Sequence, residues 1–105
     1  MKRAISALNC QIDEIIAPLF YKCRMFCIHD SELGRANYYE NPYFKKSEGY
    51  EEDLVDWIVT HGVEEAYSMR FRPEVRALLE AANIKVVELP DQDRSVEEVI
   101  ESFES

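Results

Sequence analysis

Residues 62–89 constrain the fold of this chain more than any other stretch. Gly62 precedes a short segment, Val63 to Met69, whose apolar residues include Val63, Ala66 and Tyr67. Pro73 then opens a helix, because a proline at the first helical position gives up an N–H that has no intrahelical partner. Val75, Leu78, Leu79 and Ala82 fall at i, i+3, i+4 and i+7, which is one apolar face. Asn83 stands where helices often turn left-handed to stop. Ile84 to Leu89 is β-branched and apolar and reads as a buried strand. Strand, helix and strand make a right-handed parallel crossover with apolar surface on both sides. Such a unit cannot stand alone, so the rest of the chain must cover it.

The flanking sequence supplies that cover. Arg3 to Leu8 reads as a first strand. Asn9 to Phe20 has no clean period and is broken by Pro18. Ile12, Ile15, Ile16 and Leu19 imply a loop that packs down. Cys23 to Asp30 reads as a second strand, with Phe26 and Ile28 on one face and Cys23, Met25, Cys27 and His29 on the other. Both sets are largely apolar, so both faces should be covered. Asp30 to Gly34 is a turn, and Arg35 to Glu40 completes a hairpin that Asn41-Pro42 ends. Tyr43 to Glu48 is a polar connection. Tyr50, Leu54, Trp57, Ile58 and His61 recur at helical spacing, giving a helix over 49–61 closed by Gly62. After the crossover, Pro90 to Arg94 is a charged loop. Ser95-Val96-Glu97-Glu98 is a capping box, and Val96, Val99, Ile100 and Phe103 form the inner face of a last helix. The element order is β-β-β-α-β-α-β-α, an α/β fold. Trp57 and Phe103 should be mostly buried.

At 105 residues this is a single domain, spanning 1–105, with no repeat and no linker. Twelve basic residues against 21 acidic give a net charge of −9, which argues against nucleic acid and anionic membrane as main partners. Met1-Lys2-Arg3 looks like a signal n-region, but the apolar stretch behind it ends at Asn9 and is too short. The expected location is the cytoplasm, where three cysteines fit reduced thiols better than a disulfide framework.

The ordered set of segments resembles the dinitrogenase iron-molybdenum cofactor biosynthesis domain, which is NifX-like and also found at the C-terminus of NifB-type proteins. Met1 to Ile5 resembles its opening strand, and Ala17 to Asp30 its proline–phenylalanine loop and second strand. Glu40-Asn41-Pro42, Gly62-Val63, Ala82 to Val86 and Val96 to Phe103 match later elements in order. The resemblance implies a ribonuclease-H-like fold: a five-stranded mixed sheet, order 3-2-1-4-5, with helices on its faces. It also implies a non-catalytic protein that carries iron-molybdenum cofactor or an iron–sulfur cluster precursor and meets a partner protein. The alternative is a stand-alone interaction or regulatory domain of the same fold that has lost the cofactor site. Where the family has a glycine-rich loop after the fourth strand, this chain has Ser68-Met69-Arg70-Phe71-Arg72-Pro73. Where the family follows its loop phenylalanine with Gly-Arg-Ala, this chain follows Phe20 with Tyr21-Lys22-Cys23.

The candidate site residues are Cys10, Cys23, Arg70 and Arg72. Helix N-termini attract anions through free N–H groups and the dipole, and Arg70 and Arg72 flank one. They could hold a carboxylate, a phosphate or an anionic cluster, or be solvated charges paired with glutamates. In the family's sheet order, Cys10 and Cys23 fall at the same end of the sheet as this helix start. Positive neighbours would favour their thiolates, making them more reactive than Cys27; the alternative is two unrelated, inert thiols. The arginines should be the only strongly positive spot at that end. Cys27 reads as core. Cys23, Cys27 and His29 spread too far along a strand to hold one metal ion. Glu51, Glu52, Asp53 and Asp56 could suggest a metal-dependent nuclease on this fold, but nuclease carboxylates begin on the first strand, and Arg3 to Leu8 has no acid. No G-x-S-x-G, P-loop, G-x-G-x-x-G or H-E-x-x-H is present. Tyr38, Tyr39, Tyr43 and Phe44 mark either a homodimer contact or a cap on the core.

Overall fold

The computed structural model of the chain describes residues 1–9, 11, 15–46, 49–90 and 94–103. Five strands run β1 Lys2–Ala7, β2 Met25–Asp30, β3 Arg35–Glu40, β4 Val63–Ser68 and β5 Lys85–Glu88. Three helices are α1 Glu51–Thr60, α2 Pro73–Ala81 and α3 Val96–Ser102. The sheet order is β3-β2-β1-β4-β5, as the family resemblance implies. β1, β4 and β5 are mutually parallel, while β2 is antiparallel to both β1 and β3.

Strand alternation divides the core in two. Ala4, Phe26, Ile28 and Ala66 face α1 and α2, where Leu54, Ile58, Val75 and Leu79 cover them. Ile5 and Cys27 face α3, where Val96 and Val99 cover them. Small residues at the two central positions, Ala4 and Ala66, leave room for the helical side chains above. Each fully buried Leu, Ile or Val in these layers contributes about 1.5–3 kcal/mol by leaving water. Trp57 and Phe103, expected to be mostly buried, are partly buried and pack on the edges of the two clusters.

The stop signals act as the residues dictate. Gly62 and Asn83 both adopt positive φ, 74° and 63°, ending α1 and α2. Ser95 accepts from the Glu98 amide at 3.1 Å while the Glu98 carboxylate accepts from the Ser95 amide at 3.3 Å, so the capping box of α3 is complete. Replacing Ser95 by Ala removes one side of it and should lower stability by about 1 kcal/mol, measured by urea unfolding.

Three expectations change. β2 starts at Met25, not Cys23, because Asn41 ties down the residues before it. The Asn41 side-chain amide donates to the Cys23 carbonyl at 2.8 Å, and its backbone N–H donates to the Arg24 carbonyl at 2.9 Å. Freed from strand alternation, Cys23 packs with Phe20 and Phe26, on the face opposite Cys27. β5 is an edge strand with Lys85 and Glu88 exposed and Val86 and Val87 half-buried, rather than a buried strand. Ile15 and Ile16 form isolated bridges to Ser95 and Ala7, stitching the loop after β1 to the loop after β5. Ile12, Glu48 and residues 91–93, within the expected connections, lie outside the described residues.

Candidate functional site

The C-terminal ends of β1, β4 and β5 lie together, because these strands are parallel. Open α/β sheets collect ligands at that edge. Ala7 pairs with Met25 and Met25 with Glu40, so the start of β2 and the end of β3 come to the same edge. α1 leads into β4 through a tight turn at Gly62, and α2 follows β4, so both helices present their N-termini there as well.

The floor of this edge is the segment Ala17-Pro18-Leu19-Phe20. Two buried serines hold it. The Ser6 hydroxyl donates to the Ala17 carbonyl at 2.7 Å and lies 2.9 Å from the Ser68 hydroxyl, which reaches the Pro18 carbonyl at 3.2 Å. The Arg70 amide donates to Pro18 at 2.9 Å, and the Phe20 amide donates to Arg70 at 3.1 Å. Leu19 and Arg70 thus form a short parallel bridge. Phe20 is buried between Phe26, 4.9 Å away, and Phe71, 5.0 Å away. In this chain Phe71 fills part of the loop where a glycine-rich sequence would leave open space.

The two arginines sit on this frame differently. Arg70 is exposed, with its backbone fixed by the bridge. Arg72 is the residue at the start of α2, which has no side-chain cap. Its guanidinium lies 4.5 Å above the Tyr21 ring, a cation–π contact, and 3.9 Å from Glu74. Tyr21 in turn stacks on Tyr50 at 4.2 Å, Tyr50 stacks on Tyr43 at 5.7 Å, and the Tyr21 hydroxyl donates to Glu51 at 3.2 Å. Burial, followed by the neighbouring Tyr21, pushes the Tyr50 hydroxyl up to about 12. The stack holds Arg72 in place, and the Glu74 carboxylate offsets part of its charge. The arginines are not the only positive charge at this edge: Lys22, Arg24 and Arg94 are carried by segments that end there.

Cys10 lies outside the described residues. Cys23 is at the expected end of the sheet, but it is 2% exposed and its thiol donates to the Phe20 carbonyl at 3.4 Å. Burial pushes that thiol far up. Burial also pushes Cys27 up, to about 11, partly offset by a hydrogen bond from Tyr38. His29 and His61 fall at the opposite end, His29 beside Arg3 on β1 and His61 just before β4. Among the described residues no group of three or more His, Cys, Asp or Glu could hold a metal ion. At this edge Arg70 and Arg72 stand on a rigid frame, with the carboxylates of Glu51 and Glu74 beside Tyr21 and Arg72.

Sequence reasoning missed Ser6, Ser68, Asn41 and the tyrosine stack. A serine inside an apolar strand was the available signal for Ser6, since a buried hydroxyl demands a partner. Of the four edge aromatics, Tyr38 packs against the cluster under α3, Tyr39 packs on Trp57 and His61, Tyr43 stacks on Tyr50, and Phe44 is 43% exposed.

Two solved structures share this architecture. One is an NMR structure of a Thermotoga protein provisionally assigned as NifB and placed in the DUF35 family. It is 24% identical, with a TM-score of 0.84 over 98% of this chain and 86% of that one. The other is the apo form of the orange protein from Desulfovibrio gigas, 21% identical, with a TM-score of 0.87 over 97% and 85% of the two chains. At these identities the likeness is one of fold. No curated protein matches the chain. The family model described as dinitrogenase iron-molybdenum cofactor matches residues 1–105. This chain belongs to the dinitrogenase iron-molybdenum cofactor family.

Proposed function

We propose that this chain is a non-catalytic carrier, whose cargo is an anionic metal cluster or cluster precursor of the kind the family name implies. Its ligand face is the C-terminal edge of the parallel strands. Arg70 and Arg72 supply the charge, beside the uncapped start of α2, where amide groups and the helix dipole favour an anion. Cys10 and Cys23 are the thiols assigned to the same site. Cys23 contributes only if its hydrogen bond to Phe20 is broken and the Pro18–Cys23 segment lifts. The observation that supports this reading most strongly is Arg72, held over Tyr21 at the helix start.

A second reading, an interaction or regulatory domain without cargo, draws on two observations. Phe71 occupies the loop where a ligand would approach, and carboxylates of Glu51 and Glu74 lie beside Arg72 and Tyr21. Titration with molybdate, a tetrahedral oxyanion, separates the two. The carrier reading expects saturable binding that the Arg70→Ala, Arg72→Ala double variant weakens about a hundredfold, since two charge-assisted contacts of roughly 1.5 kcal/mol each are removed. Equal affinity in both proteins would remove the arginines from the site.

A further inference from the structure

The face of α1 and α2 turned away from the sheet carries a groove that the ligand site does not use. α1 and α2 both run antiparallel to β4, so they lie side by side and parallel. Between their first turns is a cavity of about 560 Å³, and between their later turns one of about 290 Å³. Glu52 and Leu78 line both, so the two are one continuous groove along the helix pair. The floor of the part between the later turns is apolar, built from Val55, Val59, Leu78 and Ala81, while in the part between the first turns Leu78 alone is apolar. Val59 is 47% exposed within it. Its rim is acidic: Glu52, Asp53, Asp56 and Glu74. No Lys, Arg or His lines either part. Glu52, Asp53 and Asp56 join no ion pair among the described residues.

We infer that this groove docks a basic amphipathic helix of a partner protein. An apolar floor between helices receives apolar side chains at i, i+3, i+4 and i+7, which is the helix-in-groove mode of recognition. The acidic rim then selects Lys or Arg on the flanks of that stripe and repels an acidic helix. The ten residues of α1 give the groove a length of roughly 15 Å, enough for about three turns of a partner. A second copy of this chain does not fit. Its α3 carries Glu97, Glu98 and Glu101, its α1 is as acidic as the rim, and the chain's net charge is −9. A small cation does not fit either, because it leaves the apolar floor uncovered. The inference does not depend on a bound cluster, but the groove opens at Glu51 and Glu74, beside Tyr21 and Arg72. A partner seated there would reach the ligand face.

The test uses the full chain and a synthetic Leu–Lys peptide of about fourteen residues, four helical turns, with leucines on one face. A scrambled peptide of the same composition and a Leu–Glu peptide are the comparisons. Calorimetric titration should show saturable binding of the Leu–Lys peptide, at least about tenfold weaker binding of the scrambled one, and none of the Leu–Glu one. Amide shifts in the protein should map to α1 and α2. Two surface variants, Glu52→Lys with Asp56→Lys, and separately Val59→Asp, should each weaken binding about tenfold or more while the circular dichroism spectrum stays unchanged. Absence of binding, equal binding of the scrambled peptide, unchanged affinity in both variants, or shifts mapping elsewhere would each overturn the inference.

Discussion

Phe20→Ala should lower the unfolding free energy by about 3–5 kcal/mol, the range for truncating a fully buried phenylalanine. Phe20 is fully buried, and its ring packs between Phe26 and Phe71. Truncation leaves a void between the sheet and the loop after β4, and both flanking rings lose an aromatic neighbour. The Phe20 carbonyl also accepts the Cys23 thiol, and the Phe20 amide donates to Arg70. The variant should therefore loosen the segment that fixes Arg70 and covers Cys23. Urea unfolding measures the first effect. Faster alkylation of Cys23 than in the wild type, mapped by mass spectrometry, measures the second. A loss below 1 kcal/mol with unchanged labelling would mean that the segment is held by the serines alone.

Removing Glu65 should have the next largest effect. Arg3 and Glu65 pair at 2.8 Å, with side chains only 17% and 14% exposed, and Tyr67 donates to the same carboxylate oxygen at 2.8 Å. The Arg3 guanidinium also lies 4.5 Å from the Phe103 ring, so the pair anchors the end of α3. Glu65→Ala strands a poorly solvated guanidinium. Because a little solvent reaches the pair, the cost should be about 2–3 kcal/mol, below the 3–5 kcal/mol of a fully buried pair. The pH dependence has a definite sign. Burial works to raise the Glu65 carboxyl, but the Tyr67 hydroxyl and the Arg3 guanidinium outweigh it and hold it below its ordinary 4.5. A lowered folded pKa gives stability that is present above 4.5 and lost as pH falls through the folded value. The stability gap between wild type and Glu65→Gln should be constant near neutrality and close as pH drops below 4.5. A gap that widens in acid would contradict the pairing.

The crossover of residues 62–89 was legible because period and punctuation agree: Pro73 at a helix start, Asn83 at a left-handed stop, and one apolar stripe between them. The strand order came from the family resemblance, since local pattern does not say which strands become neighbours. What stayed hidden was long-range polar pairing. The partners Ser6 and Ser68 are 62 residues apart, and the loop they hold has no period of its own. Cys23 shows the same limit. Alternation placed it with Cys27, but two hydrogen bonds from Asn41, beyond the end of β3, shorten β2 and send the thiol to the opposite face. Positive neighbours favour a thiolate only where water or charge reaches the sulfur, and burial at Cys23 works the other way.

If the strand-end edge carries an anionic cluster held by Arg70 and Arg72, the protein should be isolated with it. Purification under anaerobic conditions, followed by iron, molybdenum and sulfide analysis of the wild type and of the Arg70→Ala, Arg72→Ala variant, tests it most directly. Metal and sulfide should be present in proportion to wild-type protein and at least about tenfold lower in the variant. Equal metal content in the two proteins, or none in either, would contradict it.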